Sequence, residues 1–217
     1  MAEAARTEPR IMEAPTSAKP YHHGDLQRAL VDAAQAILER EGPAALSLRA
    51  VAREAGVSPA APYHHFKDKD ELIGAVAKRG FEMLADAMRA ATAEQKTDAE
   101  RSLAIGVAYV CFARDHPAMY HTMFDANRKR DPKFSGPGGR HNSSAYLLAL
   151  ELRERQAAAQ GAKPIDAELT TIANWCAAHG LAELCQSKEF DDLKKQLGGD
   201  EAFFSAVLGH LGSLQDK

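Results

Sequence analysis

The chain has 217 residues, 45% of them hydrophobic and 26% charged, with a formal net charge of −3 at pH 7. That is enough for one sizeable core or two small ones, no apolar run approaches the roughly 20 residues of a membrane span, and the balance of charge excludes a broad basic surface for nucleic acid. Three cysteines, Cys111, Cys176 and Cys185, are too few and too dispersed for a disulfide framework or a zinc cluster, and are expected to be buried thiols.

Residues 1–20 mix alanine, proline, threonine and charge without periodicity, so a disordered tail is expected, with Arg6, Arg10 and Lys19 solvated. The alanine-rich start lacks the apolar core of a signal peptide, and the cytoplasm is the expected location. Asp25 is placed to cap a first helix whose Leu26, Leu30, Ala33, Ile37 and Leu38 share a face up to Glu41. Gly42-Pro43 ends it. Ser47 then caps a second helix, with Leu48, Val51, Ala52 and Ala55 at helical spacing. Gly56 suits the left-handed residue that closes a helix, Val57 can return to the core, and Ser58-Pro59 reads as an N-cap followed by proline at the first helical position. Two helices joined by so short a glycine-containing turn match the helix-turn-helix unit, whose second helix enters the DNA major groove. Hydrophobic spacing alone does not separate that unit from any other small helical hairpin.

Asp68 and Glu71 have capping-box spacing and open a long linking helix to about Ala91, with Leu72, Val76, Phe81, Leu84 and Met88 as its buried stripe. Gly74 and Gly80 each lower its intrinsic stability by roughly 1 kcal/mol relative to alanine, or else permit close packing. Asp98 is placed to cap the next helix, where Leu103, Ile105, Val107, Val110, Cys111 and Phe112 leave little polar surface. Asp115-His116-Pro117 opens a short helix carrying Met119, Tyr120, Met123 and Phe124. From Asn127 come the basic patch Arg128-Lys129-Arg130 and a Pro/Gly cluster, read as a flexible loop. Helix resumes near Asn142 and runs to Gln160 through Leu147, Leu148, Leu150 and Leu152. From Asp166, Leu169, Ile172, Ala173, Cys176, Gly180 and Leu184 line one face, and a last helix from Asp200 carries Phe203, Phe204, Val207, Leu208 and Leu211. No segment alternates like a strand between hairpin turns, so the fold is expected to be all-α.

Gly56-Val57-Ser58 and the run Tyr63-His64-His65-Phe66-Lys67-Asp68-Lys69-Asp70-Glu71-Leu72 resemble the DNA-binding signature of the TetR/AcrR family of bacterial transcription regulators, over about Tyr21 to Leu84. The resemblance implies an N-terminal three-helix helix-turn-helix domain over 21–67. It also implies a larger helical domain over 68–217 for dimerisation and ligand binding, entered through a connecting helix over 68–91. By that resemblance Tyr63 contacts a phosphate, Ser58 and Lys69 clamp the backbone and His64 faces the groove. Ser47 and Arg49 would add phosphate contacts at a helix start, where free backbone donors favour anions. Ala60 and Ala61 are small enough for close approach and can meet a thymine methyl, whereas His65 and Phe66 are expected in the core or at its boundary. Pro59, Ala61 and Pro62 depart from the family pattern, and Pro62 removes a hydrogen bond returning to the cap, so a short, tight recognition helix is expected.

The resemblance also raises a Met and aromatic stripe, Phe81, Tyr109, Phe112, Met119, Tyr120, Met123 and Phe124 with His121, from plain core to a candidate cavity for an apolar or aromatic effector. It further implies a homodimer through the last two long helices, at Leu169, Ile172, Cys176, Gly180, Leu184, Phe204, Val207, Leu208 and Leu211. Trp175 and His179, four apart on one helical face, read as a packed pair. The expected function is a repressor on double-stranded operator DNA, released from a palindrome by a small molecule; a dimer that binds DNA without any effector is the alternative. There is no Gly-rich phosphate loop, His-Glu-x-x-His pair or nucleophile elbow, so neither an enzyme nor a metal or cofactor site is expected.

Overall fold

In the computed structural model the described residues are 23–129 and 144–215. The expected N-terminal tail and the Pro/Gly cluster lie outside them. Among the described residues nine α-helices follow one another: α1 (His23–Glu41), α2 (Leu48–Glu54), α3 (Lys69–Thr92), α4 (Asp98–Asp115), α5 (Pro117–Lys129), α6 (Ser144–Gln160), α7 (Pro164–Leu184), α8 (Asp191–Leu197) and α9 (Asp200–Gln215). Short 3-10 turns cover Pro43–Ala45, Ala61–His64 and Lys188–Phe190, and no strand occurs among the described residues.

Each start has a local cause. Ser47 Oγ accepts from Ala50 N at 3.1 Å, and Asp68 Oδ1 accepts from Glu71 N at 2.9 Å. Glu71 returns the contact one residue early, accepting from Lys67 N at 2.6 Å. Asp25 lies within α1 rather than before it, and two further starts differ from expectation. Thr97, not Asp98, caps α4, in a full capping box with Glu100. Helix α7 begins at Pro164 rather than at Asp166, whose carboxylate instead accepts from Lys163 N at 3.1 Å.

A continuous core joins the two ends of the molecule. Leu30, Ile37, Leu38, Leu46, Val51 and Phe66 bind α1, α2 and the following turn together, and Leu72 and Val76 of α3 continue the same cluster. Helix α3 then packs on α4, α5 and α6, while α6 pairs with α7 and α4 lies against α7 and α9. A Cβ on Gly80 would stand 2.6 Å from both Cγ and Sδ of Met123 and 2.9 Å from Sδ of Met119. That glycine therefore serves close packing of α3 on α5.

The buried side of α6 is not the leucine-rich one. Ala145, Tyr146, Leu152 and Ala157 face inward, and Leu147 is 46% exposed. Leucine occurs on every side of α6, so apolar spacing does not phase it; small residues let it approach its neighbours. The 3-10 turn over Lys188–Phe190 and helix α8 leave no signal in the sequence, because their ten-residue span is mostly charged and carries no apolar period.

Candidate functional site

Two regions carry polar or aromatic groups in arrangements that packing alone does not demand. The first is the turn after α2. Gly56 adopts φ +68°, Gly56 N donates to Arg53 O at 3.2 Å and Val57 N reaches back to Ala52 O at 2.9 Å, which closes the helix as expected. The next segment is tighter than a regular helix. Pro62 has no N–H to return to Ser58, so Ser58 O accepts from Ala61 N instead, at 3.0 Å. Tyr63 N to Ala60 O and His65 N to Pro62 O repeat that three-residue spacing at 3.1 and 3.0 Å, and the segment becomes a 3-10 turn over Ala61–His64. Ser58 is accordingly not the side-chain cap of a helix starting at Pro59; no side-chain cap closes this turn.

Pro62 and Phe66 hold the turn to the core, and His65 is half-buried against Phe66. Ser58, Ala60, Tyr63 and His64 are exposed, Tyr63 at 54%, while Ala61 is half-buried. Ser47 and Arg49 stand exposed at the start of α2. Lys69 Nζ donates to Pro43 O at 3.4 Å, tying the start of α3 to the turn before α2. Glu54, the acid nearest this face on α2, is taken by Arg40 of α1 through bonds of 3.0 and 2.9 Å. Those bonds hold its carboxyl below the ordinary range and leave Arg49 and Arg53 exposed.

The second region is a cavity of about 80 Å³, partly open to solvent, among α3, α4, α5, α6 and α7. Phe81, Tyr109 and Phe124 line it, as do Leu84 and Met88 from the α3 stripe. Phe112, Met119, Tyr120 and Met123 are core side chains that do not border it, and His121 is exposed, with Nε2 3.3 Å from Gln186 Oε1. The remaining wall comes from residues that sequence reading did not assign to it: Ser102 and Ile105 of α4, Tyr146, Leu152 and Arg153 of α6, and Asn174, Trp175 and Ala178 of α7. A signal for part of this was present. Ala145, Ala149, Leu152, Arg153 and Gln156 fall on one helical face, and a cation there departs from the apolar period.

Trp175 and His179 are packed, and they also belong to a polar cluster behind the wall. Trp175 Nε1 donates to Tyr109 Oη at 3.1 Å; His179 Nδ1 lies 2.9 Å from Tyr109 Oη and 2.6 Å from Tyr120 Oη. Phe124 meets the His179 ring edge-on at 4.7 Å. Burial pushes the Tyr109 hydroxyl up to about 12, against the hydrogen bonds from Tyr120 and Trp175, and burial raises Tyr120 as well.

The α7 stripe is exposed at its ends. Leu169 and Leu184 are each 58% exposed, Cys176 is exposed, and Ile172 and Gly180 are half-buried. Cys176 is thus not the buried thiol expected, whereas partial burial raises both Cys111 and Cys185. On α9, Val207 and Leu208 are half-buried and Leu211 is exposed, but Phe204 is enclosed within the subunit at 1% exposure. Phe204 meets Phe203 edge-on in the core, with ring centroids 6.0 Å apart, and leaves the surface stripe to its neighbours.

Against known proteins, the family described as "Bacterial regulatory proteins, tetR family" matches residues 30–76, and "Tetracyclin repressor-like, C-terminal domain" matches residues 102–211. The uncharacterized HTH-type transcriptional regulator YobS of Bacillus subtilis is 34% identical over 97 residues, 45% of this chain and 50% of that protein. The HTH-type transcriptional regulator BetI of Brucella anthropi is 37% identical over 79 residues, 36% of this chain and 41% of that protein. The chain thus spans about half, or less, of the length of the curated relatives it matches. A solved structure of a protein with unknown function from Rhodococcus sp. RHA1 aligns with TM-score 0.69 and 31% identity over 88% of this chain and 94% of that one. A bacterial regulatory protein in the tetR family, from Rhodococcus RHA1, aligns with TM-score 0.60 and 21% identity over 86% and 94%, a likeness of fold.

Proposed function

Because the chain belongs to the TetR family of bacterial transcription regulators, we propose that it is a homodimeric repressor whose exposed 58–64 turn reads a palindromic operator and whose cavity takes a small effector. The observation that carries this reading is the course of α3. Its first turns pack Leu72 and Val76 beneath the helix-turn-helix, and its later turns put Phe81, Leu84 and Met88 on the cavity wall. One rigid element thus touches both regions. A second tie lies at the α4–α5 junction, where His116 Nδ1 stands 3.4 Å from Glu39 Oε1 of α1.

In this reading Tyr63, Ser58, Lys69 and the start of α2 hold phosphates, while Ala60, Ala61 and His64 approach base edges. A turn of only four residues meets few base pairs, so two copies are required, and the half-exposed stripe Leu169, Ile172, Cys176, Gly180 and Leu184, with Val207, Leu208 and Leu211 beside it, supplies the surface that joins them. The domains follow as 21–67 for DNA and 68–217 for dimerisation and ligand. An effector acts only by favouring one arrangement of the two turns over another, and α3 is the lever available to it.

The test is fluorescence anisotropy of the purified protein on its own upstream intergenic DNA and on a scrambled control, at several salt concentrations. Binding confined to the native DNA, two protomers per site and a loss of roughly tenfold in affinity for Tyr63→Ala are expected. Equal, weak binding to both DNAs would overturn the specific-operator reading. Unchanged affinity of a dimeric Tyr63→Ala would remove the role of that residue.

A further inference from the structure

The cavity wall holds a cation with no anion beside it. Arg153 of α6 lines the cavity, half-buried, and its one hydrogen bond is from Nη1 to Gln156 Oε1 at 2.7 Å. Among the described residues no carboxylate lies within ion-pair distance of it, and burial alone pulls its pKa below the ordinary guanidinium value. A charge partly withdrawn from water with no counter-ion beside it is less well stabilised than an exposed one.

The side chain is also held in place. Gln156 Nε2 donates to Ser102 Oγ at 3.1 Å, and Ser102 Oγ donates to Asp98 O at 2.8 Å. This chain of bonds braces the guanidinium from α4 across to α6, using one of its five N–H donors and leaving the others for an acceptor in the cavity. Asn174 of α7 also lines the cavity, and Phe81, Tyr146 and Trp175 are among its aromatic residues. A second hollow shares Phe124, Tyr146 and Trp175 with this cavity and has Glu168 and His179 in its lining. An anion is therefore favoured beside Arg153.

The geometry points to a monocarboxylate with an alkyl or aryl body as the effector class, its carboxylate seated on Arg153 with Asn174 beside it and its apolar body along Phe81, Tyr146 and Trp175. This rests on the reading of the cavity as an effector site and narrows it. A guanidinium accepts a carboxylate through two parallel bonds, so the acid is distinguished from the matching neutral alcohol by shape as well as charge.

The chain contains one tryptophan, and it lines this cavity and the hollow beside it, so its emission reports binding in this region and the Arg153 variants assign it to the cavity. The full-length protein is titrated with octanoate against octanol and with phenylpropionate against phenylpropanol, following Trp175 emission. In the wild type each acid is expected to bind about tenfold or more tighter than its alcohol. Arg153→Met should abolish that preference with alcohol binding retained, and Arg153→Lys should keep part of it; Arg153→Gln carries the same test should the methionine variant fail to fold. Equal binding of acid and alcohol in the wild type, or a preference that survives in Arg153→Met, would overturn the acid anchor and leave the cavity as an effector site. No saturable change in emission with any of the four probes would overturn both.

Discussion

Between Ser47 and Phe66 the backbone turns are closed by partners no more than five residues away, whereas the Tyr109 hydroxyl is met by Trp175 and His179, 66 and 70 residues further along the chain. The recognition end exposes its polar groups on a small local scaffold. The cavity end buries them in a cage assembled from five helices. A local scaffold is specified by caps, glycine and proline, while a cage depends on the register of long helices, and that register is a property of packing.

The largest expected effect tests whether the recognition end stands by itself. Phe66 is 1% exposed at the centre of its core, and Phe66→Ala should cost about 3–5 kcal/mol. Chemical denaturation followed by circular dichroism and by Trp175 emission should show the loss in an early transition that leaves Trp175 in its native environment. Coincident transitions would make the two regions one cooperative unit and remove the contrast.

Next comes the seam between them. Gly80→Val places carbons where Met123 Cγ and Sδ already lie 2.6 Å from a Cβ, with an expected loss of about 1–3 kcal/mol, or roughly 2–4 °C of melting temperature per kcal/mol. Gly80→Ala should lose less, because alanine favours the helix while Met123 adjusts. An unchanged melting temperature for the valine variant would show that α3 and α5 separate at low cost.

Tyr109→Phe removes the acceptor for Trp175 Nε1 and should cost about 1–3 kcal/mol, with a shift in Trp175 emission. The pH dependence has a definite sign. The folded-state value of Tyr109 lies above its ordinary value of 10, at about 12, so its contribution is complete below pH 10 and is lost as pH rises towards 12. The variant should lose less stability than the wild type over that interval; equal losses would separate Tyr109 from the alkaline response.

The smallest effect is expected at the exposed pair Arg40–Glu54. The Arg40 bonds hold the Glu54 carboxyl below its ordinary value of 4.5, so the contribution is present above that pH and disappears as the carboxyl protonates below it. Glu54→Gln should differ from the wild type only slightly, at low ionic strength and near neutrality, and the difference in melting temperature should vanish in acid. A difference that persists in acid would have another origin.

The contrast also explains what could be read beforehand. Ser47, Gly56, Asp68 and Pro117 mark boundaries through chemistry confined to one or two turns, and those boundaries are where the helices begin or end. The cavity was legible only in Phe81, Tyr109 and Phe124. Phe112, Met119, Tyr120 and Met123 have the same composition, and nothing in composition separates an aromatic facing a void from one facing a neighbour. Arg153 was passed over because the four leucines of α6 suggested a different buried face.

By itself the sequence determined an all-α chain, the helix-turn-helix between Ser47 and Phe66 and the family signature around it, because capping, left-handed glycine and the missing N–H of proline act over a few residues. Tertiary structure alone decided that Phe66 holds the recognition turn to the core, that Phe204 faces inward and Cys176 outward, and that Ser102 and Gln156 brace Arg153 at the cavity wall. Those outcomes depend on which faces of long helices meet, and that is settled by close packing over distances no local pattern spans.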